Sequence, residues 1–202
     1  MKMISKLPLS VLVCATALSA SFAIAGDQDP SGLPGIGSTA PGFALHPFRP
    51  GMAASEGDEG RTALELDSVC GIRRPESTSA VLVFFIEEDG MDDLLIANSW
   101  YRKHHRDGLE IFALSETKRP EVFRAAVVKA KFGFPVLDDR HGVVAKRYGV
   151  GEAPFSLLLD RDCAVIGMSN RSLTVEQGSL GAAIADIASK AKAERKARKP
   201  RR

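Results

Sequence analysis

Seven consecutive apolar residues, Ala80-Val81-Leu82-Val83-Phe84-Phe85-Ile86, constrain this chain more than any other stretch. Successive side chains of a strand point to opposite faces, so a strand with one wet face alternates apolar and polar residues. Here neither face is polar, and both must be covered. That is the situation of a strand inside a parallel sheet packed between helices. Parallel neighbours cannot be joined by a tight turn, so a helical crossover must follow.

The pattern downstream supplies it. Residues 89–106 read as a helix, with Asp92 and Asp93 at its start, Lys103 to Arg106 at its end and Gly108 as a stop. Leu109 to Leu114 reads as a second strand. Pro120, followed by Val122, Phe123, Ala126, Val127 and Ala130, gives a second amphipathic helix. Phe134 to Leu137 is a short extended piece, and His141 to Tyr148 fits one or two helical turns. Phe155 to Leu159 and Ala164 to Gly167 flank a turn and predict a hairpin. A last helix is expected from Leu173 to about Lys196. Upstream, Phe43 to Leu45 and Thr62 to Val69 are expected as short strands. The order of elements is that of an α/β domain with a mixed central sheet, helices on both faces and an N-terminal strand extension.

At 202 residues the chain holds one well-cored domain and not two large ones. Residues 1–25 are set apart as a signal peptide. Lys2 and Lys6 precede an apolar stretch from Leu7 to Phe22, and Ala23-Ile24-Ala25 offers small residues for cleavage. This predicts a secreted or periplasmic protein, not transmembrane once cleaved after Ala25. Residues 26–42, rich in Gly, Pro, Ser and Asp, are expected as a flexible leader, 43–189 as the folded domain, and 190–202 as a basic disordered tail. That tail carries eight basic residues against one Glu, which leaves residues 26–189 with 17 basic against 24 acidic. Such an acidic body is not built for nucleic acid. The tail could touch an anionic surface or simply be solvated.

Several strings, in this order and spacing, resemble the thioredoxin-fold redoxins. They are Gly37-Ser-Thr-Ala-Pro-Gly-Phe-Ala-Leu45, Val81 to Phe85, Leu109-Glu-Ile-Phe-Ala-Leu-Ser115, Phe134-Pro-Val-Leu-Asp138, Ala145-Lys-Arg-Tyr-Gly-Val150, and Ala153-Pro154 before Phe155-Ser-Leu-Leu-Leu-Asp160. The branch most similar is the alkyl hydroperoxide reductase/thiol-specific antioxidant family, together with membrane-tethered or periplasmic thiol-disulfide oxidoreductases. The resemblance implies a thioredoxin-like fold over about residues 37–167. It also implies a cis-proline at Pro154, where a cis bond is cheap only because proline follows.

The same resemblance implies a chemistry whose residues are missing. A thiol-disulfide redoxin carries Cys-x-x-Cys just after its first core strand, where a helix N-terminus stabilises a thiolate. This chain reads Ile86-Glu-Glu-Asp89-Gly90-Met91-Asp92 there, with Asp89 and Asp92 at degenerate redox-site positions. The peroxidatic position of the antioxidant branch, near Met91 to Leu94, is not cysteine either. Of three cysteines, Cys14 lies in the expected signal peptide, leaving Cys70 and Cys163. Cys163 falls in a hairpin turn where the family usually has glycine. These two could form a structural disulfide, serve as an alternative redox pair, or stay unrelated thiols.

Three functional readings follow. The first is a redox-inactive binding or accessory module, with a protein partner in the groove near Asp89 and Pro154 and no cofactor. The second is a thiol-disulfide oxidoreductase or peroxiredoxin-like antioxidant protein that uses Cys70 and Cys163. The third is a cation site made by Glu87, Glu88, Asp89, Asp92 and Asp93, weighed against a solvated helix start and set aside for want of regular ligand spacing. Elsewhere, His104 and His105 read as helix-end residues, His46 and His141 stand alone, and Asn170-Arg-Ser172 fits a glycosylation acceptor.

Overall fold

The computed structural model describes residues 32–50, 63–87 and 89–198. The expected signal peptide, leader residues 26–31, residues 51–62, Glu88 and the last four residues lie outside them. The apolar run forms strand β3 (Ala80–Ile86), buried along its whole length. Its neighbours are numbered with it in chain order. They are β1 (Ala44–Leu45), β2 (Leu64–Glu65), β4 (Leu109–Ser115), β5 (Val136–Asp138), β6 (Phe155–Asp160) and β7 (Val165–Ser169). Five of these seven strands, β3 among them, make one sheet in the order β5-β4-β3-β6-β7. Strands β3, β4 and β5 are parallel, while β6 runs antiparallel to both β3 and β7.

The two faces of β3 divide the core. Val81, Val83 and Phe85 pack with Phe43, Leu66, Val69, Phe112, Tyr148 and Leu157. Ala80, Leu82, Phe84 and Ile86 face the opposite way, onto Leu94, Trp100, Phe123, Phe134 and Ile184. The first face is covered by the β1–β2 pair and the short helix α3 (Val143–Arg147). The second is covered by α1 (Met91–His104), α2 (Pro120–Ala130) and α5 (Ser179–Arg198). This is the expected α/β architecture, with a mixed sheet between helices.

Helix α1 ends in a 3-10 turn at His105–Asp107 and stops at Gly108. Gly108 has φ +96°, and a Cβ there would lie 2.0 Å from the Ser77 carbonyl oxygen, so no other residue fits without moving the backbone.

Four expectations need correction. Of the span expected as a strand from Thr62 to Val69, the described residues 63–69 do not make a full strand. Only Leu64–Glu65 pairs, and Leu66–Ser68 turns into a 3-10 helix that buries Leu66 and closes with the Ser68 hydroxyl on the Glu65 carbonyl, 2.7 Å. The leader does not stay loose up to residue 42. Gly37 N–H donates to the Val165 carbonyl and Ala40 N–H to the Cys163 carbonyl, each at 2.8 Å, adding a rung to the outer side of β7. The last helix is split, because Gly178, a weak helix former, separates α4 (Leu173–Glu176) from α5.

The helix expected to about Lys196 runs on to Arg198, so the basic tail is not disordered from 190. Its Ala, Lys, Glu and Arg favour helix, and cations suit a helix C-terminus. Lys190 pairs with Asp186 at 2.7 Å, and Arg195 reaches Asp107 at 3.5 Å and the Arg106 carbonyl at 3.2 Å.

Candidate functional site

Parallel strands deliver their carboxyl ends to one rim of the sheet, where α/β folds place their sites. At that rim β3 leads through Glu87 to Asp89, Gly90 and the start of α1. Strand β6 enters the sheet at the same level, because Phe85 is paired with Phe155. The residue before Phe155 is Pro154, and the Ala153–Pro154 peptide is cis. The sheet register therefore sets the Asp89–Asp92 turn and the cis-proline at one end of the same strand pair.

The side chains of that turn divide into two kinds. Asp89 and Asp92 are exposed, as are Glu87, Glu116 and Glu152 around the same rim. Asp93 is turned inward and buried. Its Oδ1 accepts from the Ser172 hydroxyl at 2.6 Å and from Thr174 N–H at 3.2 Å. Asp93 thus holds the start of α4 against α1, and Ser172, part of the Asn170-Arg-Ser172 string, also caps α4 with its own oxygen. Among the described residues, no three His, Cys, Asp or Glu side chains converge as a metal site. The cavity beneath Ala153, walled by Phe85, Ile86, Leu114 and Val150, has a volume of only about 40 Å³. That is room for no more than a few waters.

The sulfurs are elsewhere. Cys70 and Cys163 form a disulfide whose Cα atoms are 5.2 Å apart and whose partners are 93 residues apart in sequence. Both are buried, Cys70 entirely. Cys163 belongs to the β6–β7 turn, next to Asp160, and Asp160 pairs with Ala80 at the amino end of β3. Phe155 and Asp160 are five residues apart, so at about 3.4 Å per residue the disulfide lies roughly 17 Å from the Asp89–Pro154 rim. Cys163 adopts φ +64°, the left-handed conformation that glycine takes most easily.

The histidines are distributed over two places. His104 is buried at the end of α1, and burial, with Lys103 beside it, lowers its pKa. His105 stacks on Tyr101, with ring centroids 4.3 Å apart, and its Nδ1 is 3.5 Å from Glu110. That carboxylate raises the His105 pKa, while burial raises that of Glu110. His46 and His141 stand 95 residues apart in sequence, yet both line a larger cavity of about 510 Å³ beside β5. Arg124, Asp138, Asp139 and Arg140 line it too. Sequence reasoning passed over these four. The polar run Asp138 to His141, placed directly after a strand of a parallel sheet, was the available signal.

No protein-family model matches the chain. Over 80 residues it is 35% identical to the thiol-disulfide oxidoreductase ResA of Bacillus thuringiensis subsp. konkukian and, equally, of Bacillus cereus. That stretch is 40% of this chain and 46% of ResA, so the match spans about half the length of those relatives. Among solved structures, a chain assigned as the thiol:disulfide interchange protein DsbE of Chlorobium tepidum superposes with a TM-score of 0.61 at 18% identity. It covers 77% of this chain and 99% of that one. A solution structure assigned as a protein disulfide isomerase of Bacteroides thetaiotaomicron gives 0.59 at 16% identity, over 77% and 91% of the two chains. The fold is therefore thioredoxin-like, that of thiol-disulfide oxidoreductases.

Proposed function

We propose that this protein is a redox-inactive member of the thioredoxin-like group. It acts outside the cytoplasm as a binding or accessory module, with the Asp89–Pro154 rim as its contact surface. The observation that carries this reading is positional. The rim holds Asp89 and Asp92, and a carboxylate at a helix start is electrostatically favoured there but cannot exchange disulfides. Both described cysteines are spent in a buried bond at the far end of the sheet. Exposed Glu87, Asp89, Asp92, Glu116 and Glu152 favour a partner segment carrying Lys or Arg.

The ResA match supports the thiol-disulfide oxidoreductase branch over the alkyl hydroperoxide reductase/thiol-specific antioxidant branch. The extracytoplasmic location rests on Lys2, Lys6, the apolar stretch from Leu7 to Phe22 and Ala23-Ile24-Ala25. N-terminal sequencing of the protein from its own cells, starting at Gly26, tests it; an intact Met1 refutes it.

Insulin reduction with dithiothreitol, and hydroperoxide consumption, test the absence of catalysis. The expected rate equals that of the reductant alone. Turnover abolished by Cys70→Ser and Cys163→Ser would establish the alternative redox pair. Turnover that survives them would reveal a centre that this reading does not contain. For the contact surface, Asp89→Lys/Asp92→Lys should lose whatever protein cross-links to the parent in its compartment; an unchanged cross-link removes the rim from the proposal.

A further inference from the structure

Helix α1 begins at the acidic rim and ends beside the start of β4, which pairs with the start of β3. Its 14 residues carry it about 21 Å along the sheet. The end it reaches has the opposite charge. Arg195 on α5 meets Asp107 and the Arg106 carbonyl there, so the last turns of α1 and α5 lie together. Residues 102–110 and 192–198 carry seven Lys or Arg against three acids. Two of those acids are taken, Asp107 by Arg195 and the buried Glu110 by His105. Arg102, Lys103, Arg106, Lys192, Lys196 and Arg198 are exposed, and none makes an ion pair among the described residues. Cations suit helix C-termini, but two such ends offset only about one unit of charge. The surroundings do not neutralise the excess either, since residues 71–79 and 160–163 carry three Arg against three acids.

The same end of the sheet presents an isoleucine. Ile72 is fully exposed, yet its neighbours are tied down. Gly71 N–H donates to the Arg161 carbonyl at 2.9 Å, and Arg73 pairs with Glu65 and Asp67. The Cys70–Cys163 bond fixes the loop just before it. The loop then runs to Ser79, whose N–H donates to the Gly108 carbonyl at 2.8 Å, beside the basic cluster. An apolar side chain held in water next to cations suits a surface with anionic heads over an apolar interior. A nucleic acid or other polyanion would gain nothing from it. The acids of the rim oppose such a contact little, because about 21 Å exceeds two Debye lengths at physiological salt.

We infer that this end of the molecule docks on an anionic lipid bilayer, with the six free cations on the headgroups, Ile72 in the interface and the acidic rim turned to solvent. Among the described residues no helix is long and apolar enough to cross a membrane, so the contact is peripheral. The inference does not rest on the redox-inactive reading.

The test uses the mature protein from Gly26, which contains every described residue, with vesicles of phosphatidylcholine alone or with about 30% phosphatidylglycerol. Sedimentation gives the partition coefficient. Charged vesicles should bind at least tenfold better than neutral ones, and about 0.5 M salt should remove the difference. Each Lys or Arg near such a surface is worth about fivefold in partitioning. Arg102→Gln/Lys103→Gln/Arg106→Gln and Lys192→Gln/Lys196→Gln/Arg198→Gln should therefore each weaken binding at least tenfold, whereas Asp89→Asn/Asp92→Asn on the rim should not weaken it. Ile72→Trp reads insertion. Its added emission should be quenched by brominated lipid, while the parent, whose one tryptophan is the buried Trp100, should keep its own. Equal binding to charged and neutral vesicles would overturn the inference, a result that needs no variant to fold. So would binding that both triple variants leave unchanged. Ile72→Trp emission untouched by brominated lipid would overturn it too, and heparin binding retained alongside that result would mark a polyanion site instead.

Discussion

Reducing the Cys70–Cys163 bond is the perturbation that best tests a structural role for it. The bond closes a loop of 93 residues that contains β3 through β6, nearly the whole sheet. For a loop of that length the chain-entropy relation gives about 4.6 kcal/mol of stabilisation at 25 °C. One term opposes it. Cys163 sits at φ +64°, and a non-glycine residue in the left-handed region costs about 1–2 kcal/mol, part of which a reduced turn can relax. The net expectation is about 3–4 kcal/mol, a large share of the 5–15 kcal/mol typical of a whole domain.

The assay is urea denaturation with and without reductant, followed by the fluorescence of Trp100. With a slope of about 1.5 kcal/mol per molar, the midpoint should fall by roughly 2–3 M. The pair Cys70→Ser/Cys163→Ser should behave like the reduced chain. Replacing Cys163→Ser by Cys163→Gly in that pair should recover about 1 kcal/mol, because glycine accepts the left-handed turn. A midpoint that moves by less than about 0.5 M on reduction would refute the reasoning and put the bond among those made for exchange.

Asp93→Ala removes a buried acceptor shared by the Ser172 hydroxyl and Thr174 N–H, so it should destabilise the fold by about 1–3 kcal/mol in thermal or urea unfolding. Asp92→Ala, on an exposed carboxylate one residue away, should change little. Burial lowers the pKa of His104, so its contribution is complete above the unfolded value of 6.5 and is lost as pH falls through the lower folded value. Glu110 raises that of His105, whose contribution is complete below 6.5 and is lost as pH rises through the higher folded value. Glu110, raised by burial, acts in the same sense as His105. Urea midpoints from pH 5 to 8 should therefore lose their acid slope in His104→Gln and lose part of their alkaline slope in His105→Gln; unchanged slopes in both would sink this account. Finally, Asp89→Cys/Asp92→Cys restores a Cys-x-x-Cys spacing at the start of α1. It should raise insulin reduction at least tenfold over the parent, and two titratable thiols with no gain in rate would show that the rim no longer supports exchange.

How much of this was legible follows from what each element depends on. Strand β3 and its helical crossovers could be read because side-chain polarity alone dictates them. The docking of Gly37 to Ala40 on β7 could not, because it is made by backbone groups that every residue carries. The helix to about Lys196 could be read from its residues, whereas the reach of Arg195 to Asp107, which ties this basic segment to the domain, could not. Asp93 looked like its neighbours Asp89 and Asp92 in sequence, and only the fold shows that it is turned inward. His46 and His141 needed the tertiary structure to meet at all. The absence of cysteine after β3 was plain from the letters, whereas the remoteness of the disulfide depended on the register of β6.

The backbone bonds along β5 have one more consequence. Phe48 donates to Val136 and Asp138 donates to His46, so the outer edge of β5 is already paired with the chain's own residues 46–48. A partner that recognises sheet edges by adding a strand must compete there with an occupant tied to the same molecule. A tether of this kind acts like a competitor at millimolar concentration that cannot be diluted away. Recognition by loops and side chains carries no such penalty.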